Sequence, residues 1–459
     1  MPETGGGGRP GGGKGRIVAV VAAVVAVLLM AGGGVWLLAG GDGDTESRKS
    51  DGNTGRDESA RKHKDRLGML WEVDPPRVAG STTGPAEARG TWFVGDTIVR
   101  AWFDSVTGYD MNTGKEVWSL DLARRGPGCG AAPTVSDGRT VIQWGGMCEK
   151  VMAIDLVQGE KLWTKDLPSK GRGTDEYLET RMAVSGDIAA AAWIGNAIGF
   201  DLSTGEVLWK AEDGAECRDT DYVGGERLIA KVECDFGATV ALHSVKPDGS
   251  KGWEWKAPDG AFVERVISLD PVVVGIKAGE ALDMSDIVVL GENGDVRSKI
   301  NIPEGRYLFH STGIGLADCC RNIVVDKAND ALYLQTNNHQ GDDDSVTEIV
   351  AFDLSTGKSK WLSEPVEERW AAPLAMQGGK LLGYEQVTHD APGLITSIDP
   401  ETGKASAYTR LPENTQEKEF QMVIVNECHL YWRDGMFLVV AYSFKQNEAH
   451  NEEGVLAFG

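Results

Sequence analysis

One pattern recurs along the chain and limits its fold more than any other feature. Residues 108–118 read GYDMNTGKEVW, 153–163 AIDLVQGEKLW, 199–209 GFDLSTGEVLW and 351–361 AFDLSTGKSKW. ALHSVKPDGSKGW at 241–253 and SIDPETGKASAY at 397–408 keep the outline; VVLGENGDVRSKI at 288–300 keeps the turn and loses the tryptophan. Each copy has the grammar of a β-hairpin. An apolar strand ends near an aspartate (Asp110, Asp155, Asp201, Asp353), Asx and Ser/Thr side chains shape a turn, and glycine supplies a positive φ. Tryptophan follows that glycine by four residues at Trp118, Trp163, Trp209 and Trp361. This use absorbs part of an unusual content of 60 glycines and 14 tryptophans in 459 residues.

Between copies lie two further strand-like runs joined by a turn, as in AAPTV, SDGR and TVIQW across 131–144. The unit therefore has four strands and recurs about every 45 residues, lengthening to about 60 around Asp353. Four strands per 40–50 residues is the signature of a propeller blade. The chain ends on GVLAFG (454–459), a strand with no tryptophan strand after it. It opens its apolar patterning with MLWEVD (69–74), a tryptophan strand with nothing before it, 47 residues ahead of Trp118. The first strand is expected to complete the last blade and abolish the open edge. Seven hairpins and one split hairpin predict an all-β, eight-bladed β-propeller, preceded by an N-terminal transmembrane helix.

That helix is expected at 17–39, where no charged residue occurs over about 23 positions, enough for a ~30 Å hydrocarbon core. A cleaved signal is the alternative, with Ala31-Gly32-Gly33-Gly34 as its weak spot. Residues 1–16 form a glycine-rich basic tail carrying Arg9, Lys14 and Arg16, so the tail is expected in the cytoplasm and the remainder outside. Residues 40–66 are polar and read as a flexible linker, leaving 67–459 for the propeller. The net charge is −23; residues 1–66 hold ten basic and eight acidic groups, which leaves −25 on 67–459. Such acidity argues against nucleic-acid binding.

The pattern A-x-D-x-x-T-G-x-x-x-W resembles the tryptophan-docking repeats of pyrroloquinoline-quinone-type eight-bladed propellers. The resemblance covers about residues 67–459 and implies that Trp71, Trp118, Trp163, Trp209, Trp253 and Trp361 pack structurally between neighbouring blades. The superfamily includes quinone-dependent alcohol dehydrogenases, the scaffold lipoprotein of the outer-membrane barrel-assembly machine, and membrane-anchored binding proteins without catalysis. One fold hosting many functions, the site must decide among them.

Seven cysteines in an extracytoplasmic domain point to disulfides. The segment leading into a blade and the loop between its second and third strands share one face of a propeller. Cys129 and Cys148 occupy these places in one blade, and Cys217 and Cys234 in the next but one, predicting Cys129–Cys148 and Cys217–Cys234. Three cysteines remain. Either Cys428 bonds Cys319 or Cys320, or Cys319–Cys320 forms a vicinal disulfide. Quinone dehydrogenases of the superfamily carry a vicinal disulfide against the cofactor, but early in their chain; here the pair lies late, within DCCRN. Their calcium and quinone ligands find no residue-by-residue counterpart, so neither pyrroloquinoline quinone nor calcium is expected.

His339, His389 and His450 fall in equivalent loops of three successive blades, too far apart to share a zinc ion whose ligands stand at ~2 Å. Asp342, Asp343 and Asp344 lack the alternating spacing and glycine of a calcium loop. No phosphate-binding glycine loop, CxxC pair or G-x-S-x-G nucleophile occurs, so no catalytic residue is assigned. The longest blade-leading segment, PEGRYLFHSTGIGLADCCR at 303–321, holds Arg306, Tyr307, Phe309, His310 and Arg321. It reads either as a contact site or as a plug for the channel mouth.

The expected function is a non-catalytic binding or scaffold module for a protein or cell-envelope partner, held by a single N-terminal helix. The alternatives are a quinone-dependent oxidoreductase and an extracellular ligand sensor that works through a membrane partner. A barrel-assembly role is disfavoured because those scaffolds are lipidated on an early cysteine, and none precedes Cys129.

Overall fold

The computed structural model describes residues 65–76, 86–87, 89–122, 129–169, 177, 180–211, 215–281, 283–309, 316, 322–425, 428–444 and 453–459, except 341–344. The expected anchor at 17–39 lies outside them; among the described residues no helix is long and apolar enough to cross a membrane.

Eight antiparallel sheets follow one another in a ring of blades. Blades 1 and 3–7 occupy 91–121, 181–210, 217–256, 261–301, 323–363 and 371–410, each with four strands hydrogen-bonded in chain order. Blade 8 combines Cys428–Arg433, Met436–Ala441 and Val455–Phe458 with Met69–Val73 as its outer strand. Trp71 pairs with Ala457 and Val73 with Val455, and Gly68 and Gly459 exchange backbone hydrogen bonds. The opening strand therefore completes the last blade.

Blade 2 has three regular strands, Arg139–Trp144, Lys150–Asp155 and Glu160–Asp166. The expected inner strand AAPTV is reduced to a bridge from Ala131 to Ile142. Pro133 has no N–H to donate, so pairing stops after Ala132, whose N–H reaches Val141 O at 2.9 Å. The longer repeat around Asp353 holds the segment 303–321 and a small hairpin, His339–Gln340 with Ser345–Val346.

Burial follows strand position. Second strands are mostly buried, Ile188–Trp193 and Met436–Ala441 from end to end, whereas the outer strand Val207–Lys210 is largely exposed. The buried apolar residues form eight clusters, one at each seam between adjacent blades. The seam between blades 8 and 1 is as apolar as the others, with Leu438, Val440 and Ala457 against Ile98, Trp102 and Met111. Buried Arg100 also crosses this seam, donating to Ala441 O at 2.5 Å.

The repeat motif now has a physical meaning. Asp110, Asp201, Asp353 and Asp399 each accept two backbone N–H groups and a threonine hydroxyl, which folds the turn. Trp118 lies over Gly159 of the next blade's turn, where a Cβ would stand 2.3 Å from the ring. Trp71, Trp163, Trp209, Trp253 and Trp361 meet Gly114, Gly205, Gly249, Gly294 and Gly403 in the same way. Trp71, Trp163 and Trp361 also donate Nε1–H to the carbonyl following the next blade's turn aspartate or its equivalent, at Met111, Leu202 and Pro400. A bulge between the third and outer strands recurs in every blade. It re-aims the outer side chains.

A candidate docking face

The hairpin turns lie at one face of the ring. The blade-leading segments and the loops between second and third strands lie at the other. Two disulfides fasten loops on this second face: Cys129–Cys148 in blade 2 and Cys217–Cys234 in blade 4. Cys217 and Cys234 are directly opposed in the strand register. Cys428 is buried at the start of blade 8's inner strand. Cys319 and Cys320 lie outside the described residues, and with them the remaining pairing.

The predicted contact segment is only partly described; His310 and Arg321 fall outside. Its first part is held by backbone pairing rather than by packing alone. Ile302 N donates to Ser285 O (2.8 Å), Leu308 N to Gln335 O (3.1 Å) and Asn337 N to Arg306 O (2.8 Å). Gly305, at φ +69°, turns the chain, and Asn337 Nδ2 donates to its carbonyl at 2.9 Å. Tyr307 meets Phe352 edge-on at 5.8 Å, and Phe309 packs against the seam between blades 5 and 6. Arg306 is exposed. Leu316, further along, accepts from Val266 N of blade 5 at 3.1 Å and donates to Asp221 Oδ2 of blade 4 at 2.8 Å. The segment thus leaves its own blade and reaches the inner strands of two others, as a plug would. Burial pushes the Asp221 carboxyl up to about 6, partly offset by that N–H and by Arg181.

Between blades 5 and 6 these contacts leave a groove of about 290 Å³. Tyr307, Phe309, Met284, Ile302, Asp283 and Glu304 line it. The structure therefore brings together Tyr307 and Phe309 of the expected residues, leaves Arg306 beside them, and adds Asp283 and Met284 from blade 5. Nothing in the repeat pattern marks those two, because they come from a loop 20 residues earlier in the chain.

A second cavity, about 160 Å³, lies among blades 6, 7 and 8 and is lined by Asn322, Gln335, Trp370, Tyr384, Gln386 and Leu430, among others. Behind it, Glu419 is fully buried on the short helix Gln416–Phe420. It accepts the Tyr384 hydroxyl at 2.7 Å and Gly393 N–H at 3.1 Å. Burial raises its carboxyl to about 7 and lifts the Tyr384 hydroxyl well above its ordinary range. Arg369 is buried nearby, bonded to Gln386 O and Pro392 O.

Among the described residues no group of three His, Cys, Asp or Glu side chains is placed to hold a metal. His389 instead packs against the Phe420 ring in a tilted contact, with centroids 4.3 Å apart; His450 and Asp342–Asp344 lie outside the described residues. The described lining of both cavities holds no lysine or arginine. Pyrroloquinoline quinone carries three carboxylates, so these linings do not fit it.

Residues 57–224 match the family profile described as outer membrane protein assembly factor BamB. A quinohemoprotein alcohol dehydrogenase of Comamonas testosteroni is 24% identical over 329 residues, 65% of this chain and 42% of that protein. Outer membrane protein assembly factor BamB of Yersinia pestis is 27% identical over 151 residues, 30% of this chain and 37% of that protein. The chain thus spans less than half the length of these curated relatives. Among solved structures, BamB from Moraxella catarrhalis superposes with a TM-score of 0.46 at 13% identity, covering 85% of this chain and 97% of that one. The match to that profile is confined to residues 57–224; the repeats, the eight blades and the closing strand described above make this chain an eight-bladed β-propeller with repeats similar to those of the pyrroloquinoline-quinone-like, BamB-like proteins.

Proposed function

We propose that the chain is a non-catalytic scaffold, tethered to a membrane by residues 17–39, whose extracytoplasmic propeller docks a protein partner. One observation carries the reading. Met147, Ile194, Phe262, Val366 and Ile424 expose 40–49% of their surface, and all five belong to loops or strand starts on the leading-segment face. Other exposed apolar side chains, such as Val117, Val207, Val296 and Leu362, are spread along the outer strands of different blades, whereas these five share the loop face, where exposed apolar groups can serve as a docking surface. The BamB-named relatives supply the class by analogy, and an envelope partner is the expectation that follows.

The test is cross-linking of the full chain in its native membrane. Replacing Met147, Ile194 and Phe262 together with serine is expected to abolish the cross-linked partner while the melting temperature stays within 3 °C, about the shift of 1 kcal/mol or less. An undiminished cross-link rejects this face. Cysteine labelling of residues 40–66 in intact cells checks the tether and its orientation. The dehydrogenase similarity favours a redox reading. Dye reduction by the protein supplied with pyrroloquinoline quinone, calcium and an alcohol would establish it, and no reduction is expected.

A further inference from the structure

We propose that the groove between blades 5 and 6 receives a lysine or arginine side chain from a basic segment of the partner polypeptide. The proposal rests on the scaffold reading and names the chemistry of its partner. Buried Met284 and Ile302 form apolar lining, Tyr307 and Phe309 contribute partly buried aromatic rings, and exposed Asp283 and Glu304 supply carboxylates. No cation lies in the described lining to neutralise them.

Lysine and arginine are the side chains that match this order of surfaces. Their aliphatic stems cover apolar lining, their heads stack on aromatic faces, and their charge meets carboxylates. The volume, about 290 Å³, falls at the lower end of the ~300–1,000 Å³ range of small-ligand pockets. One anchoring side chain with its flanking backbone suits it better than a large cofactor. The net charge of −25 on residues 67–459 adds a long-range field that draws basic chains and repels acidic ones. A polypeptide is the source because the groove opens on the same face as Phe262 of blade 5, so an anchor there has apolar surface beside it for the rest of a segment.

The experiment measures fluorescence anisotropy of labelled hexa-arginine with the full chain in detergent, at low salt and at 150 mM salt. Asp283→Asn with Glu304→Gln is expected to weaken binding at least ten-fold, and Tyr307→Ala to do the same, while Tyr307→Phe keeps wild-type affinity. Glu160→Gln with Glu206→Gln removes the same charge from the opposite face and is expected to change affinity less than two-fold. Free arginine at equal guanidinium concentration is expected not to compete. Equal losses in the two double variants would reduce the effect to bulk acidity and overturn the proposal. So would unchanged binding in Asp283→Asn/Glu304→Gln, or full competition by free arginine. If the membrane cross-link persists while hexa-arginine fails to bind, the groove assignment falls and the scaffold reading stands. If the serine triple variant keeps its cross-link, the scaffold reading falls instead.

Discussion

A single methyl group separates a closed seam from an obstructed one at Gly159. Its φ is +71° and its missing Cβ would stand 2.3 Å from Trp118. Gly159→Ala is expected to lose about 2–3 kcal/mol in urea unfolding, from a left-handed backbone strain of ~1 kcal/mol and from overpacking. Gly95→Ala, also at positive φ but with nothing within 4 Å, is expected to lose only the strain. The partner small residue of Trp118, Trp163, Trp209 and Trp361 lies two positions before the turn aspartate, and Trp71 has a small partner at the equivalent place in the last strand. Gly108 and Gly199 pair directly with Trp118 and Trp209, and Ala153, Ala351 and Ala457 pair with Trp163, Trp361 and Trp71. Blade 5 shows the substitute when the ring is missing. Ser298 donates to Leu354 O at 2.5 Å, and the turn glycine Gly357 closes onto backbone at Lys299. Buried Glu419 gives a second residue-scale prediction. Its carboxyl rises from 4.5 to about 7 in the folded chain, so the unfolded chain ionises first as pH rises. Stability is therefore greatest below about pH 4.5 with respect to this group and is lost towards pH 7 and above, by up to about 3 kcal/mol. Glu419→Gln is expected to flatten that fall and to unfold at higher urea than wild type at pH 8.

At the scale of elements, the strands were legible and the leading segments were not. Hairpin turns, tryptophan spacing and the two incomplete ends are local patterns with a fixed period, so eight blades and the closing strand follow from reading along the chain. The Cys129–Cys148 and Cys217–Cys234 positions follow too, because equivalent loops of one blade share a face. The strut from Leu316 to Asp221, the Tyr384–Glu419 pair and the Asp283 wall of the groove carry no period. Each joins residues that meet only after the ring has closed. Pro133 shows the opposite failure, where an apolar run looked like a strand but lacked a donor. Each bonded pair encloses 17 or 19 residues. Removing one by a double serine substitution is expected to lower unfolding free energy by about 3 kcal/mol in the chain-entropy model, which differential unfolding in the oxidised proteins measures.

The whole molecule carries its charge on the ring: −25 over residues 67–459 against +2 over 1–66. Self-repulsion of that size weakens the compact state and is screened over ~10 Å at 0.1 M salt. The melting temperature is expected to rise between 20 and 300 mM sodium chloride, by a few degrees. A flat salt profile would show that the acidic groups are already paired locally. The closing strand has a temporal consequence as well. Met69–Val73 must wait for Val455–Phe458, made more than 380 residues later. At about 5–20 residues per second, synthesis leaves that strand without its partner for roughly 20–80 s. During this interval a tryptophan-bearing edge is available to other chains, so the ring's last contact to form is also the one most in need of protection.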